Sequence, residues 1–170
     1  MQRLPLTVGV RSMTHKLWFG SAVLALAVLV LNGAQQDVVL FNHSPSVPVG
    51  FYIRDSGDDP ALGIFMTVRA RDVAPVEAAA HDYVDESDRF IKRLAAIAGQ
   101  HVCSDGRVLS VDGVEVATVQ THAGAPQGWV GCRTLTSSEI LLLGDSVDSF
   151  DGRYWGPISD DLIEGVWRPL

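Results

Sequence analysis

The sequence predicts a mainly β domain behind one N-terminal transmembrane helix. Three observations carry this. Residues Leu17 to Gln36 contain no charge, and Leu17 to Leu31 is strongly apolar. Beyond them, short runs rich in β-branched and aromatic residues alternate with Gly, Pro, Asp and Ser clusters, the spacing of strands and tight turns. Only one later stretch carries a helical pattern.

The apolar segment comes first. A helix of roughly 20 residues spans the ~30 Å hydrocarbon layer of a bilayer. Arg3, Arg11 and Lys16 precede it without an acidic residue, whereas the chain after it carries all 20 acidic residues and ten of the 13 basic ones. Positive flanks stay on the cytoplasmic side. The expected organisation is therefore a cytoplasmic N-terminus at 1–16, a transmembrane anchor at 17–36 and an external domain at 37–170. A cleaved signal peptide is the alternative, but Asn32-Gly33-Ala34 fits a small-x-small cleavage site poorly. The excess of acid beyond residue 36 argues against nucleic acid, which is bound by Lys and Arg neutralising phosphates, and against adhesion to anionic lipid. The lipid bilayer is expected as a partner through the anchor alone. Asp82, Asp85, Glu86 and Asp88 read as a solvated loop.

The expected strands follow in order. Val38–Phe41 leads into the turn Ser44-Pro45-Ser46-Val47-Pro48-Val49-Gly50, and residues 50–54 lead out of it. Residues 64–69 and 89–97 are further β runs, the second bounded by Gly99. Residues 108–118 alternate around Asp112-Gly113, a strong hairpin signal. Residues 140–143 read as a buried strand ending at Gly144-Asp145. Val73–His81 carries the helical pattern, with Asp72 as its cap and Pro75 in its first turn. Residues 120–138 read as a loop. Many short strands in about 135 residues imply a barrel or sandwich.

Cys103 and Cys132 are the two cysteines, and in an exported domain a pair usually forms one disulfide. Closing a loop of about 30 residues contributes roughly 3–4 kcal/mol in the chain-entropy model. A metal site with His101 and His122 would need tight ligand spacing that the sequence lacks. No metal and no cofactor is implied.

The candidate chemistry lies in the serine turn. A serine hydroxyl needs a base, and His43, His81, His101 and His122 stand in no triad-like context. The other base available to serine is a lysine made neutral by burial. Strand alternation places Phe90, Lys92, Leu94 and Ala96 on one face, so Lys92 is expected among apolar neighbours. Arg93 then points the other way, to solvent or a carboxylate. An edge-strand charge that blocks aggregation is the other reading of Lys92. A third cluster, Gly144-Asp145 through Ser149-Phe150-Asp151-Gly152-Arg153-Tyr154-Trp155-Gly156, reads either as a structural loop with an Asp151–Arg153 pair or as a platform that positions the base.

Taken in order, three segments resemble the boxes of the type I signal peptidases, the Ser–Lys membrane proteases. The serine turn resembles the nucleophile box. Lys92-Arg93 through Gly99 resembles the lysine box, K-R-x-x-x-x-P-G. Residues 144–156 resemble G-D-…-S-x-D-S-R-Y-x-G. The form Ser-x-Pro-x-Gly-x-Tyr is closer to the conjugative-transfer, TraF-type branch than to the housekeeping enzyme, and Gly156-Pro157-Ile158 fits the same branch. Two departures stand out: Ala98-Gly99 replaces Pro-Gly, and Asp151-Gly152-Arg153 replaces Asp-Ser-Arg.

The resemblance implies a signal-peptidase-like β domain and a role for each residue. Ser46 is the implied nucleophile and Lys92 the general base. Ser44, with the Ser46 amide, would serve the oxyanion, Ser149 would orient the amine, and Asp151 and Arg153 would hold the loop. It further implies a serine endopeptidase in the bacterial inner membrane, its catalytic domain periplasmic. Its substrate would be an exported, pilin-like precursor with small residues before the cut, and its partners the proteins of a conjugation or secretion apparatus. Cyclisation of the product is a further possibility of the TraF-type branch. Two rival readings are a housekeeping signal peptidase and a non-catalytic, membrane-anchored assembly module.

Overall fold

The computed structural model describes residues 37–170, apart from 58–60, 81, 84, 86, 87 and 123. The anchor expected at 17–36 lies outside the described residues; among those described, no helix is long and apolar enough to cross a membrane.

Among the described residues, eleven strands form two antiparallel sheets. They are β1 (Val39–Asn42), β2 (Gly50–Asp55), β3 (Phe65–Arg69), β4 (Arg89–Ala96), β5 (His101–Asp105), β6 (Val108–Val111), β7 (Val114–Thr118), β8 (Val130–Thr134), β9 (Glu139–Leu143), β10 (Ile158–Ser159) and β11 (Ile163–Pro169). The larger sheet has the order β1-β2-β11-β3-β4-β9-β10, and the smaller β7-β6-β5-β8. The mainly β expectation therefore stands, as two sheets.

The larger sheet buries apolar residues on both faces. Val47, Tyr52, Phe65, Ile91 and Trp167 form one cluster, in which the fully buried Trp167 donates its indole N–H to Thr67 Oγ1 at 2.9 Å. Met66, Val68, Leu94, Ile140 and Leu142 form another, covered by Phe90, Phe150 and Trp155. A third joins the two sheets: Ala96, Leu141 and Leu143 from the larger, Val102, Leu109 and Val111 from the smaller. The Asp112-Gly113 hairpin joins β6 to β7, with both residues at positive φ, 50° and 80°, as a type I′ turn requires.

Two local expectations need correction. The helical pattern is split into α1 (Ala70–Val73) and α2 (Pro75–Ala80). Pro75 disfavours helical backbone at the residue before it, and Ala74 sits at φ −146°, ψ 65°. Arg69, not the expected Asp72, holds the cap position of α1. The segment 120–138 is not all loop, because β8 runs through it as the edge of the smaller sheet, pairing with β5.

Val39, Phe41, Phe51 and Ile53 on the β1–β2 hairpin, with Val38 and Val49, are all exposed. The Phe41 and Phe51 rings pack against each other at 4.8 Å.

Candidate active site

The serine turn joins β1 to β2, and Asn42 shapes it. This buried amide accepts from the Ser44 N–H at 3.0 Å. Its NH₂ donates to the carbonyls of Ser44 (2.8 Å), Val47 (3.2 Å) and Pro48 (3.0 Å). The Tyr52 hydroxyl donates to the Pro48 carbonyl at 2.6 Å. With Val47 packed into the core, Ser46 has little freedom. Asn42→Ala would leave buried backbone groups without partners, each worth about 1–3 kcal/mol. A loss of about 2 kcal/mol or more in urea unfolding is expected, with slower turnover; unchanged stability would refute this account of the turn.

Lys92 projects from β4 beneath the turn. Its Nζ lies 3.0 Å from Ser46 Oγ and 3.1 Å from Ser149 Oγ. It is only 3% exposed. The ammonium also lies 5.7 Å from the Phe90 ring centre, on the strand face the alternation predicted. Burial is the main cause that lowers its pKa from 10.5 to about 8; Asp151 and Asp145 oppose the shift and Arg153 assists it. Near neutral pH a useful fraction of the amine is therefore free to accept a proton. Ser44 Oγ stands 3.3 Å from Ser46 Oγ and 3.4 Å from the Ser46 amide nitrogen. The Ser46 N–H donates to Ser44 Oγ and the Ser44 hydroxyl donates to Ser46 Oγ, so both donors stand on one turn beside the Ser46 hydroxyl.

The loop after β9 closes the site. Asp151, fully buried, accepts from the Gly144 N–H at 2.6 Å and from the Arg153 N–H and Nε–H at 3.0 Å each. The buried Arg153 guanidinium also pairs with Asp151 at 2.9 Å and donates to the carbonyls of Gly144, Ser146 and Val147. One ion pair thus sets the course of residues 144–153 and the position of Ser149, itself buried. The loop is tied to the serine turn as well, because the Asp145 N–H donates to the Ser46 carbonyl at 2.7 Å. Asp145 is gripped in turn by Arg93, at 2.8 and 2.6 Å, and that grip depresses the pKa of the Asp145 carboxyl. Of the two surroundings expected for Arg93, solvent or a carboxylate, the structure supplies the carboxylate. Gly144 lies so close that an added Cβ would stand 2.6 Å from Ser149 Cβ and 2.8 Å from the Ser46 carbonyl oxygen.

The structure therefore brings together Ser44, Ser46, Lys92, Ser149, Asp151 and Arg153. Cys103 and Cys132 lie apart, joined as a disulfide between directly paired positions of β5 and β8. His101 Nε2 lies 3.3 Å from Cys103 Sγ, but the bond occupies both sulfurs. His122 lines a separate cleft of about 580 Å³. Sequence reasoning missed Asn42 and the pinning role of Asp145. Asn42 had a signal: an Asn two residues before Ser44, at a strand end, is the position of an Asx turn.

Comparison with known proteins bears on the family of the chain. Residues 4–169 match the family model described as signal peptidase, peptidase S26. Two plasmid transfer proteins TraF from Escherichia coli are each 28% identical: one over 158 residues, covering 85% of this chain and 88% of that protein, the other over 168, covering 89% and 90%. A signal peptidase I crystal structure from Enterococcus faecalis aligns with TM-score 0.40 and 18% identity over 65% of this chain and 98% of that one. The chain belongs to the signal peptidase family, peptidase family S26, a family of serine proteases.

Proposed function

We propose that this chain is a serine endopeptidase that cleaves exported precursor proteins with Ser46 as nucleophile and Lys92 as general base. The observation that carries the reading is the 3.0 Å contact between Ser46 Oγ and a buried Lys92 amine whose pKa burial brings down to about 8. Neutral Lys92 takes the Ser46 proton as Oγ attacks the scissile carbonyl. The Ser46 N–H and the Ser44 hydroxyl stabilise the oxyanion. The C–N bond breaks as Lys92 returns the proton to the leaving amine, leaving an acyl-enzyme. Lys92 then activates the water that releases the acyl group. Throughout, Ser149 holds the amine in line.

The relatives named plasmid transfer proteins support a precursor from a conjugation apparatus, a pilin-like propeptide, as the substrate. Passage of the acyl group to the substrate's own amine instead of water would give a cyclic product, lighter than the hydrolysed one by the mass of a water molecule. The uncharged 17–36 segment and the exposed apolar β1–β2 hairpin support a site held against the bilayer, on the periplasmic face of the inner membrane. Ser46→Ala tests the core of the proposal. Precursor cleavage by the full chain in detergent should disappear while the unfolding midpoint is kept; turnover that persisted would leave the reading without its nucleophile and favour a non-catalytic assembly module.

A further inference from the structure

The smaller sheet reaches the catalytic loop at Trp129, the residue just before β8. The Trp129 N–H donates to the Arg153 carbonyl at 2.8 Å. Its indole lies between two glycines. A Cβ on Gly156 would stand 2.7 Å from the pyrrole edge of the ring, and one on Gly131 would stand 2.6 Å from its benzene edge. Those distances are far inside contact, so the ring fills a slot that exists only because both positions lack a side chain. Further bonds run the same way: the Gln120 N–H donates to the Tyr154 hydroxyl at 3.3 Å, and Arg133 donates to the Pro157 carbonyl at 3.4 Å. The disulfide ties β8 to β5 three residues beyond Trp129.

We propose that Trp129 is a positioning residue for the reaction: its indole, seated in the Gly131–Gly156 slot, and its N–H, on the Arg153 carbonyl, hold the loop carrying Ser149 closed over Lys92. The inference rests on the peptidase reading above and deepens it. Trp129 touches neither Ser46 nor Lys92. It acts through Arg153, whose guanidinium holds Asp151 and the carbonyls of Gly144, Ser146 and Val147. A loosened loop admits water to Lys92, and desolvation is the main influence that keeps the amine available as a base. The charged groups acting on Lys92 are Asp145, Asp151 and Arg153, all carried by that loop.

The test uses the full chain in detergent. Trp129→Ala should move the rising limb of the kcat pH profile upward by about one unit. Near neutral pH that lowers kcat about tenfold, with KM little changed. Trp129→Phe, which still fills the slot, should keep the wild-type profile. Gly131→Val expels the indole while favouring the strand, and should reproduce the Trp129→Ala profile. The double variant should be no worse than either single change, the signature of two residues acting on one contact. An unmoved limb in Trp129→Ala and Gly131→Val, or additive losses in the double variant, would overturn the proposal. Hydrogen exchange at the amides of Ser149, Arg153 and Tyr154 reads the brace without turnover: faster exchange in Trp129→Ala supports it, and unchanged exchange overturns it. A wild-type chain that cuts no precursor while showing this exchange difference would count against the peptidase reading and leave the brace standing.

Discussion

Lys92→Met should abolish precursor cleavage while the domain stays folded, and should remove a pH dependence from its stability. The loss of a positioned base costs about 10²–10⁴-fold in rate. Here it is expected at the upper end, because among the described residues the hydrogen-bond partners of Ser46 Oγ are Ser44 Oγ and Lys92 Nζ, with no imidazole. The stability effect follows from linkage. Folding lowers the Lys92 pKa from 10.5 to about 8, so between those values the unfolded chain binds more protons than the folded one. Stability therefore rises with pH through that window. Below about pH 8 both states are protonated, and the folded state carries the full cost of a buried ammonium, on the order of 3 kcal/mol. Methionine keeps the length of the side chain and cannot titrate. The stability of wild type minus that of Lys92→Met should be flat below pH 8 and shift in favour of wild type by about 3 kcal/mol by pH 10.5. Urea unfolding across pH 7 to 10.5 measures it. The cleavage rate of wild type should rise with a midpoint near the folded-state pKa of about 8. A flat stability difference, or activity surviving in Lys92→Met, would remove the lysine from its assigned role.

Asp151→Asn should be the most destabilising polar replacement in the site. The carboxylate is fully buried and pairs with a guanidinium that is 4% exposed. Removing one partner of such a pair leaves the other charge uncompensated in a dry environment, at about 3–5 kcal/mol. An exposed pair such as Arg168–Asp55, whose arginine side chain is 65% exposed, should cost less than about 1 kcal/mol when broken. The charge also bears on catalysis. Asp151 raises and Arg153 lowers the proton affinity of Lys92, but burial outweighs both, so a loop loosened in Asp151→Asn should admit water to Lys92, and any surviving activity should show its rising limb above that of wild type. Replacing both residues by leucine and methionine should destabilise less than the single change, because no unpaired charge is left behind. A loss below about 1 kcal/mol for Asp151→Asn, the range of an exposed pair, would mean that the loop is held by something else.

How much of this was legible depended on local signals. The position of Lys92 followed from period-two alternation, because Phe90 and Leu94 flank it with bulky apolar side chains on one face. The hairpin followed from Asp112-Gly113, whose positive φ values few other dipeptides tolerate. Strand β8 left no pattern: Gly131, Cys132, Arg133 and Thr134 lie on an edge with four of its five residues exposed, and no buried face imposes alternation. Strand β11 was hidden by the register shift between Ile163 and Gly165, which breaks the period. Trp129 was invisible for another reason. Its partners Gly156 and Arg153 lie more than twenty residues away, and a slot between glycines is a tertiary object with no trace in spacing.

The strand order also governs when in its synthesis the protein becomes competent. The strand that leaves the serine turn, β2, and the neighbour of the lysine strand, β3, do not pair with each other; β11 lies between them. Trp167 of that strand faces Arg54 of β2 on one side and Phe65 of β3 on the other. Every side chain assigned to the chemistry has been made by residue 153, yet the strands that flank nucleophile and base are joined within the sheet only when residues 163–169 pair between them. Long-range pairing of this kind forms late, after the entropy of closing a loop of about a hundred residues has been met. A ribosome-tethered or truncated chain ending before Ile163 would hold a complete set of reactive groups without the frame that aligns them. The alignment of nucleophile and base would be completed only with the final strand.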